Sequence, residues 1–263
     1  MGSDRSPSHR AADAVRADGL VVTYGDHVAL ESDHLQVPVA VITAVIGPNG
    51  SGKSTLLAAI SGIVEPAAGT IEVLGQRPGA TRGRVAHVLQ DTTANAAVPL
   101  TVREIVRMGR YARRGPFRPL TVGDHRAVDQ ALERLQIRDL QRRHLSELSA
   151  GQRQRVYVAQ GLAQEADLVL LDEPATGLDL PSQAQITAIM RELVAAGRTV
   201  IHATHSVTEA ADADHVVLLA TRVVGSGTPA KVLQPHLLQA AYGGQVHVTA
   251  DGAVMIDDPH HPH

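Results

Sequence analysis

The nonapeptide GPNGSGKST at residues 47–55 constrains the fold of this 263-residue chain more than any other segment. It fits the pattern of a glycine, four free positions, then glycine, lysine and serine. The apolar run Val39–Ile46 before it predicts a buried strand, and Leu56–Ile60 after it predicts the start of a helix. Glycines let the backbone wrap around a phosphate, with its N–H groups pointing inward at the positive end of that helix. The segment therefore predicts an α/β fold with a nucleoside triphosphate site.

Each residue of this loop is a predicted phosphate contact. The set is Gly47, Pro48, Asn49, Gly50, Ser51, Gly52, Lys53, Ser54 and Thr55. Lys53 is expected to neutralise the β- and γ-phosphates, and the Ser54 hydroxyl to ligate Mg²⁺. The chain has only two lysines, Lys53 and Lys231, and the position of one in this loop supports that role. A chance match of a glycine-rich loop is the alternative, but the strand before and the helix after argue against it.

A second group of candidate residues follows the short apolar run Leu168–Leu171, which predicts a buried strand ending at Asp172. A carboxylate at the tip of such a strand is where Mg²⁺ is held in phosphate-loop proteins, so Asp172 is a predicted metal residue. Glu173 faces differently and is the predicted general base for the attacking water. The alternative is a surface pair of acids at a strand end.

The segment Leu148–Gln152, which reads LSAGQ, precedes the helical run Arg153–Ala163. It resembles the signature sequence of ATP-binding cassette (ABC) proteins, in which two consecutive glycines are usual; here Ala150 takes the place of the first. The resemblance covers about residues 19–243. It implies ATP and Mg²⁺ as cofactors and a head-to-tail homodimer with two ATP molecules at its interface. In that dimer Ser149, Gly151 and Gln152 of one subunit close over the ATP of the other.

The same resemblance assigns roles to four further residues. Tyr24 resembles the aromatic that stacks on adenine, although an ordinary half-buried strand tyrosine is the alternative. Gln90, after the predicted strand Arg84–Leu89, resembles the glutamine that senses Mg²⁺ and water. Asp179 resembles the aspartate that crosses to the partner subunit, and His205 the histidine that contacts the γ-phosphate. The predicted catalytic residues are thus Glu173, His205, Gln90 and Lys53, and the predicted metal residues Ser54, Gln90 and Asp172.

Three segments are predicted along the chain. Residues 1–18 are expected to be a mobile N-terminal segment, residues 19–243 the ATP-binding domain, and residues 244–263 a short hairpin and tail. The expected fold class is a P-loop NTPase core with a mostly parallel sheet, an N-terminal antiparallel β-subdomain and an inserted helical subdomain at about residues 92–163. The predicted helices of that subdomain are Val102–Met108, Val122–Leu135 and Arg153–Ala163.

Composition restricts the setting in which the chain works. The formal net charge is −3, so there is no overall basic field for nucleic acid, and none is expected as a partner. The absence of cysteine excludes disulfides. No apolar stretch reaches the 18 or so residues of a membrane span. With the family resemblance, this predicts a peripheral protein at the cytoplasmic face of the cell membrane.

The segment Met108–Pro119 carries an aromatic between basic residues and is the predicted docking surface for a membrane permease; a solvated arginine-rich loop is the alternative. With Leu237–Gly243, it is most similar to the manganese/zinc/iron-type importer ATPases. That resemblance implies a permease partner and, indirectly, an extracytoplasmic substrate-binding protein. Alternatives are the ATPase of a ferric-siderophore, haem or cobalamin importer and a soluble ABC ATPase acting on ribosomes or DNA. The last class typically has two cassettes or a coiled-coil insert, and neither is evident here.

Overall fold

The computed structural model describes residues 13–89, 99–115 and 117–243, together with the backbone of two short strands at 246–248 and 254–256. The strands are β1 Asp13–Tyr24, β2 His27–Pro38, β3 Ile42–Ile46, β4 Ala68–Val73, β5 Val85–Val88, β6 Leu168–Asp172, β7 Thr199–Thr204, β8 His215–Leu219, β9 Val223–Gly227, β10 Val246–Val248 and β11 Val254–Ile256. The helices are α1 Lys53–Ser61, α2 Val102–Arg114, α3 Val122–Arg134, α4 Ala150–Ala163, α5 Leu180–Ala195, α6 Val207–Ala211, α7 Pro229–Val232 and α8 Pro235–Tyr242.

The central sheet has six strands in the order β5-β6-β7-β3-β8-β9. All its neighbouring strands are parallel except β8 and β9, which pair antiparallel at one edge. Strands β3, β6 and β7 are buried along their whole length, because apolar clusters cover both faces of the sheet. Continuous apolar runs without alternation are what such strands require. The predicted, mostly parallel core is confirmed.

A separate antiparallel sheet, in the order β2-β1-β4, forms the N-terminal subdomain. Strand β1 begins at Asp13, so the expectation that residues 1–18 are mobile is wrong for residues 13–18. Val15 pairs with Val37 and Ala17 with Leu35, and all four side chains are buried. Burial of these apolar residues on one face of the sheet holds the segment in place, although half of residues 13–18 are charged.

Helices α2, α3 and α4 lie between β5 and β6 and form the helical subdomain. A side chain caps the start of each: Thr101, Thr121 and Ser149 all belong to capping boxes. Helix α2 continues to Arg114, six residues beyond the predicted end at Met108. A Cβ on Gly109 would lie 2.2 Å from the backbone oxygen of Gln160, so glycine at this position lets α2 approach α4 closely.

The C-terminal strands β10 and β11 pair antiparallel, with Val246 opposite Ile256. These two strands are the described part of the hairpin predicted within residues 244–263.

Candidate nucleotide-binding site

The predicted catalytic motifs emerge at one edge of the central sheet. Strand β7 lies between β6 and β3, with Asp172 opposite Ala203 and Ile46 opposite Thr204. The carboxyl ends of parallel strands meet at the same edge. The phosphate loop after β3, the acids at the end of β6 and His205 after β7 therefore share that edge.

The phosphate loop is shaped by glycines that no other residue could replace without displacing backbone. A Cβ on Gly47 would lie 2.2 Å from the carbonyl oxygen of Leu219. Gly52 has φ +96°, and a Cβ there would lie 2.7 Å from the carbonyl oxygen of Ala29 in β2. The loop thus packs between β8 and the N-terminal sheet. This tight packing explains two of the glycines that the sequence pattern requires.

Helix α1 begins without a side-chain cap, at Gly52. The first intrahelical bond is the one from the Leu56 N–H to the Gly52 carbonyl, at 2.8 Å, so the N–H groups of residues 53–55 have no partner within the helix. Ser51 Oγ is buried and has no hydrogen-bond partner among the described residues. These open donors at the positive end of a helix suit the phosphates of a nucleotide.

Lys53 lies inside the loop and is almost fully buried. Its Nζ donates to the carbonyl oxygens of Gly47 at 2.8 Å and Pro48 at 3.1 Å. Burial lowers the pKa of Lys53, while the nearby carboxylates of Glu173 and Asp172 act in the opposite direction. The lysine is therefore held between the loop and both predicted acids, where a phosphate group would meet its charge.

Asp172 is buried at the end of β6 and is hydrogen-bonded to the Ser54 side chain. Burial raises the pKa of Asp172, and so does the neighbouring Glu173, whereas the Ser54 hydrogen bond and the Lys53 charge lower it. A carboxylate beside a hydroxyl is a hard-oxygen donor pair that fits Mg²⁺, an ion that takes one or two carboxylates plus phosphates and water. No cluster of three or more His, Cys, Asp or Glu ligands occurs in the described part of the chain.

Glu173, the predicted base, has a left-handed backbone with φ +47°. Its N–H donates to the Ala203 carbonyl at 3.2 Å, and Thr176 Oγ1 donates to Glu173 Oε2 at 3.1 Å. A non-glycine residue in this region costs about 1 kcal/mol or more, and such strain is often found at functional sites. The Glu173 carboxylate is close enough to Asp172 and Lys53 to influence the pKa of both.

His205 is exposed and directly follows β7. The turn that carries it is held by Thr204 and Glu209: Thr204 Oγ1 donates to Glu209 Oε2 at 2.7 Å and accepts from the Ser206 N–H at 3.0 Å. Sequence reasoning missed this network. Ser206 and Glu209 are spaced as in a capping box, and that signal could have found it.

Tyr24 and Gln90 are two further predicted contacts of the nucleotide. Tyr24 ends β1 and is 53% exposed, so part of its ring is open to a ligand, as stacking on adenine requires. Gln90 lies outside the described residues.

The signature residues begin helix α4. The Gln152 N–H donates to Ser149 Oγ at 3.2 Å, and the Ser149 N–H donates to Gln152 Oε1 at 3.0 Å. A Cβ on Gly151 would lie 3.1 Å from Leu178, in the loop that ends at Asp179. Asp179 caps α5 by accepting from the Ser182 N–H at 3.1 Å. The two segments that the family resemblance assigns to the dimer interface are therefore neighbours in one chain.

Ala150 is the first residue of α4 and has no left-handed backbone. Glycine's wider conformational range is therefore not required at this position, and alanine is the better helix former. The departure from the usual signature leaves the helix start undistorted.

Three features of this edge define a P-loop nucleoside triphosphatase. The helix after the buried strand β3 begins without a cap, a lysine lies inside the loop, and an aspartate ends β6, which is separated from β3 by β7 alone. Residues 30–176 match the ABC transporter family, and the chain belongs to that family. It is 36% identical to the zinc transport system ATP-binding protein TroB of Treponema pallidum (strain Nichols), over 90% of this chain and 89% of that protein. It is 35% identical to the manganese transport system ATP-binding protein MntB of Bacillus subtilis (strain 168), over 88% of this chain and 93% of that protein.

A solved structure of a metal-chelate type ABC transporter in an inward-facing conformation superposes with a TM-score of 0.76. The sequence identity is 29%, and the match covers 88% of this chain and 89% of that one. The predicted ABC fold and the prediction of an ATPase are confirmed.

Proposed function

We propose that this chain is the ATP-hydrolysing subunit of an importer for a transition metal such as manganese, zinc or iron. The observation that carries the proposal is the open start of α1 with the buried Lys53, next to Asp172 and Glu173. The names of the zinc and manganese transport relatives support the choice of cargo.

In the proposed site, the chain's own groups divide the work. The N–H groups at the start of α1 and the Lys53 ammonium bind and orient the phosphates. Ser54 and Asp172 would hold Mg²⁺, with Gln90 as a further ligand, and the bound ion would neutralise phosphate charge. Glu173 takes a proton from the attacking water, and His205 contacts the γ-phosphate. Tyr24 stacks on the adenine.

The proposed working unit is a head-to-tail homodimer. The chain has one phosphate loop, so two sites need two copies. Ser149, Gly151 and Gln152 of one copy would close over the ATP held by the other, and Asp179 would cross the same interface. ATP then binds the closed dimer better than the open one, and hydrolysis releases it.

A groove between the two subdomains is the proposed docking site for a helix of the permease. It has a volume of about 280 Å³ and lies between α2, α4 and the end of β5. Apolar side chains such as Ile105 and Met108 line it, and His87 lies at its edge. Burial lowers the pKa of His87 to about 4, so the ring is neutral. Its Nδ1 is 3.0 Å from Ser61 Oγ, and its buried Nε2 has no partner among the described residues.

The groove refines the docking segment predicted from the sequence. Residues 107–114 are helical and not a loop, and Arg110 is buried. Met108 faces the groove, whereas Phe117 is 97% exposed. We therefore assign the permease contact to the face of α2 that carries Ile105 and Met108.

No helix in the described ranges is long and apolar enough to cross a membrane. A permease would then provide the path across it, with this chain at the cytoplasmic face and an extracytoplasmic binding protein delivering the cargo.

The substitution Glu173→Gln tests the catalytic assignment. It should retain ATP binding but lower turnover by about two or more orders of magnitude, because a general base contributes roughly 10²- to 10⁴-fold. ATPase assays and calorimetric ATP titration measure the two effects. Glu192→Gln is the matched control, since Glu192 is exposed on α5 and pairs with Arg134 at the surface. A Glu173→Gln protein with near wild-type turnover would remove this residue from the mechanism.

The cargo is tested separately, in cells that lack this chain. Their manganese, zinc or iron content should fall, and the wild-type chain but not Glu173→Gln should restore it. Normal metal content with impaired uptake of a ferric siderophore, haem or cobalamin would favour the alternative importer class, which the metal-chelate type structural relative also supports.

A further inference from the structure

An arginine-lined pocket lies at the far end of α2, apart from every residue assigned to the nucleotide site. Its volume is about 440 Å³. The lining residues, called the arginine pocket below, are Arg110, Arg113, Arg114, Arg118 and Glu165. Four guanidinium groups around one cavity repel each other unless carboxylates of the protein or an anionic ligand pair with them.

Two of these arginines are satisfied by the fold. Arg110 lies 2.8 Å from Asp124 Oδ1 and 2.7 Å from Glu165 Oε2, and it also donates to the Ala163 carbonyl. Arg114 Nε lies 2.6 Å from Asp124 Oδ2. Burial alone would raise the pKa of Asp124, but hydrogen bonds from Thr121 and Arg110 outweigh it and hold that pKa well below its usual range. Arg110 and Arg114 therefore pair with Asp124 and link α2 to α3 within the fold.

The other two arginines have fewer partners. Arg113 Nη1 donates to the Glu165 carbonyl at 3.5 Å and lies 3.8 Å from Glu165 Oε2, but the Arg113 side chain is half exposed. Arg118 makes no hydrogen bond or ion pair with any residue that the structure describes. Four arginines against the two carboxylates of Asp124 and Glu165 leave an excess of two positive charges. Guanidinium groups of this kind bind phosphate through paired N–H donors.

Apolar side chains stand beside this charge. Phe117, the only phenylalanine of the chain, is 97% exposed and directly precedes Arg118. Val122, at the start of α3, is 69% exposed. Two separate apolar groups are much less than the contiguous, well-packed surface that a specific protein interface needs. Exposed aromatic and aliphatic side chains interspersed with arginine instead suit the boundary between lipid headgroups and acyl chains.

We propose that the arginine pocket binds the phosphate of an anionic phospholipid, with Phe117 and Val122 entering the lipid boundary. Arg113 and Arg118 provide the phosphate contacts, and Arg110 and Arg114 add to the local positive charge. This contact with the membrane surface is separate from the permease contact, so its failure would leave the proposed transport function untouched.

Sedimentation of the purified full chain with lipid vesicles tests the proposal. Binding should be clear with vesicles of phosphatidylcholine plus phosphatidylglycerol, weak with phosphatidylcholine alone, and reduced by added salt. Arg113→Gln and Arg118→Gln should each weaken binding about fivefold, since one arginine near an anionic surface contributes at that level. Phe117→Ala should also weaken it. Matched controls are Arg142→Gln and Ile63→Ala, which remove an exposed arginine and an exposed apolar side chain elsewhere and should change nothing.

Three outcomes would overturn the proposal. One is equal binding to both kinds of vesicle, and another is equal weakening by the control substitutions. The third is no vesicle binding together with thermal stabilisation by inorganic phosphate that Arg118→Gln removes, which would make the pocket a site for a soluble anion. Thermal unfolding of each variant without ligand checks that the fold is retained.

Discussion

Two helices of this protein begin at predicted nucleotide contacts, and their first turns are built differently. Helix α1 starts at Gly52, where no side chain caps the open N–H groups. Helix α4 starts at Ser149, whose hydroxyl accepts from the Gln152 N–H while the Gln152 side chain accepts from the Ser149 N–H. The first helix start is left for an outside partner, and the second is largely satisfied by its own residues.

This difference between the two helix starts suggests that α1 serves ATP binding and α4 serves ATP turnover. At α1 the phosphates provide partners that the chain itself does not. At α4 the cap uses an acceptor lone pair of Ser149 Oγ, so the hydroxyl proton can still be donated to a phosphate oxygen. We therefore expect changes in the phosphate loop to alter nucleotide affinity of a single chain. Changes at the start of α4 should alter only the step that needs two chains.

Among changes at the two helix starts, the largest expected effect is that of Lys53→Ala. Loss of an ammonium group that meets two phosphates should weaken ATP binding about 100-fold, because hydrogen bonds to charged groups contribute about 1.5–3 kcal/mol each. Calorimetric titration of ATP into the purified chain measures the change. Lys231→Ala, at an exposed lysine outside the site, is the control. Unchanged affinity in Lys53→Ala would contradict the assignment of the loop.

Lowering the pH should weaken ATP binding at the α1 site through Asp172 but should not act through the signature residues at the start of α4. Burial raises the pKa of Asp172, so on acidification this carboxylate takes up its proton at a higher pH than an exposed aspartate does. The Mg²⁺-dependent part of ATP affinity should then fall, approaching a tenfold loss per pH unit below that pKa. Titrations with and without Mg²⁺ isolate this part, and Asp172→Asn should remove it. The signature residues Ser149, Gly151 and Gln152 contain no titratable group, so a pH effect that persists in Asp172→Asn would have another source.

Ser149→Ala should leave ATP affinity of the single chain unchanged and lower turnover about tenfold, the effect of one lost hydrogen bond to a charged group. It should also cost about 1 kcal/mol of stability through the lost cap. Thr101→Ala removes the equivalent cap from α2 in the same subdomain. A similar loss of turnover in Thr101→Ala would mean that the effect of Ser149 arises from fraying of the subdomain alone.

The smallest effect is expected for Ala150→Gly, which restores the usual signature. Because Ala150 already has a helical backbone, less than about 1 kcal/mol is involved, and ATPase activity should stay within about threefold of wild type. A tenfold rise would show that Ala150 limits turnover in the natural protein.

The placement of the candidate residues at one edge of the sheet was predictable because its signals are local. Short apolar strands end directly at the candidate residues Asp172 and His205, and strands of this kind pair in parallel and bring their ends together. The capping box at Ser149 is likewise visible in the sequence, as serine followed by glutamine three residues later.

The remaining features depend on contacts between distant segments. The strand at residues 13–18 has three small buried apolar residues, Ala14, Val15 and Ala17. The partners of Val15 and Ala17 lie about twenty residues away in β2. The extension of α2 to Arg114 depends on the pairing of Arg110 with Asp124 and Glu165, and an arginine-rich stretch gives no sign of such burial. The left-handed backbone of Glu173 is set by its hydrogen bond to Ala203 in β7, which no local pattern encodes.

Helix α4 also has a mechanical consequence. Its 14 residues span about 21 Å, with the signature at one end and the groove residues Tyr157, Gln160 and Gly161 towards the other. A helix of this length moves as one lever: a tilt of about 10° around one end displaces the other by about 4 Å, more than the length of a hydrogen bond. A partner seated in the groove could therefore bring Ser149 into reach of a phosphate, or withdraw it, without touching the nucleotide.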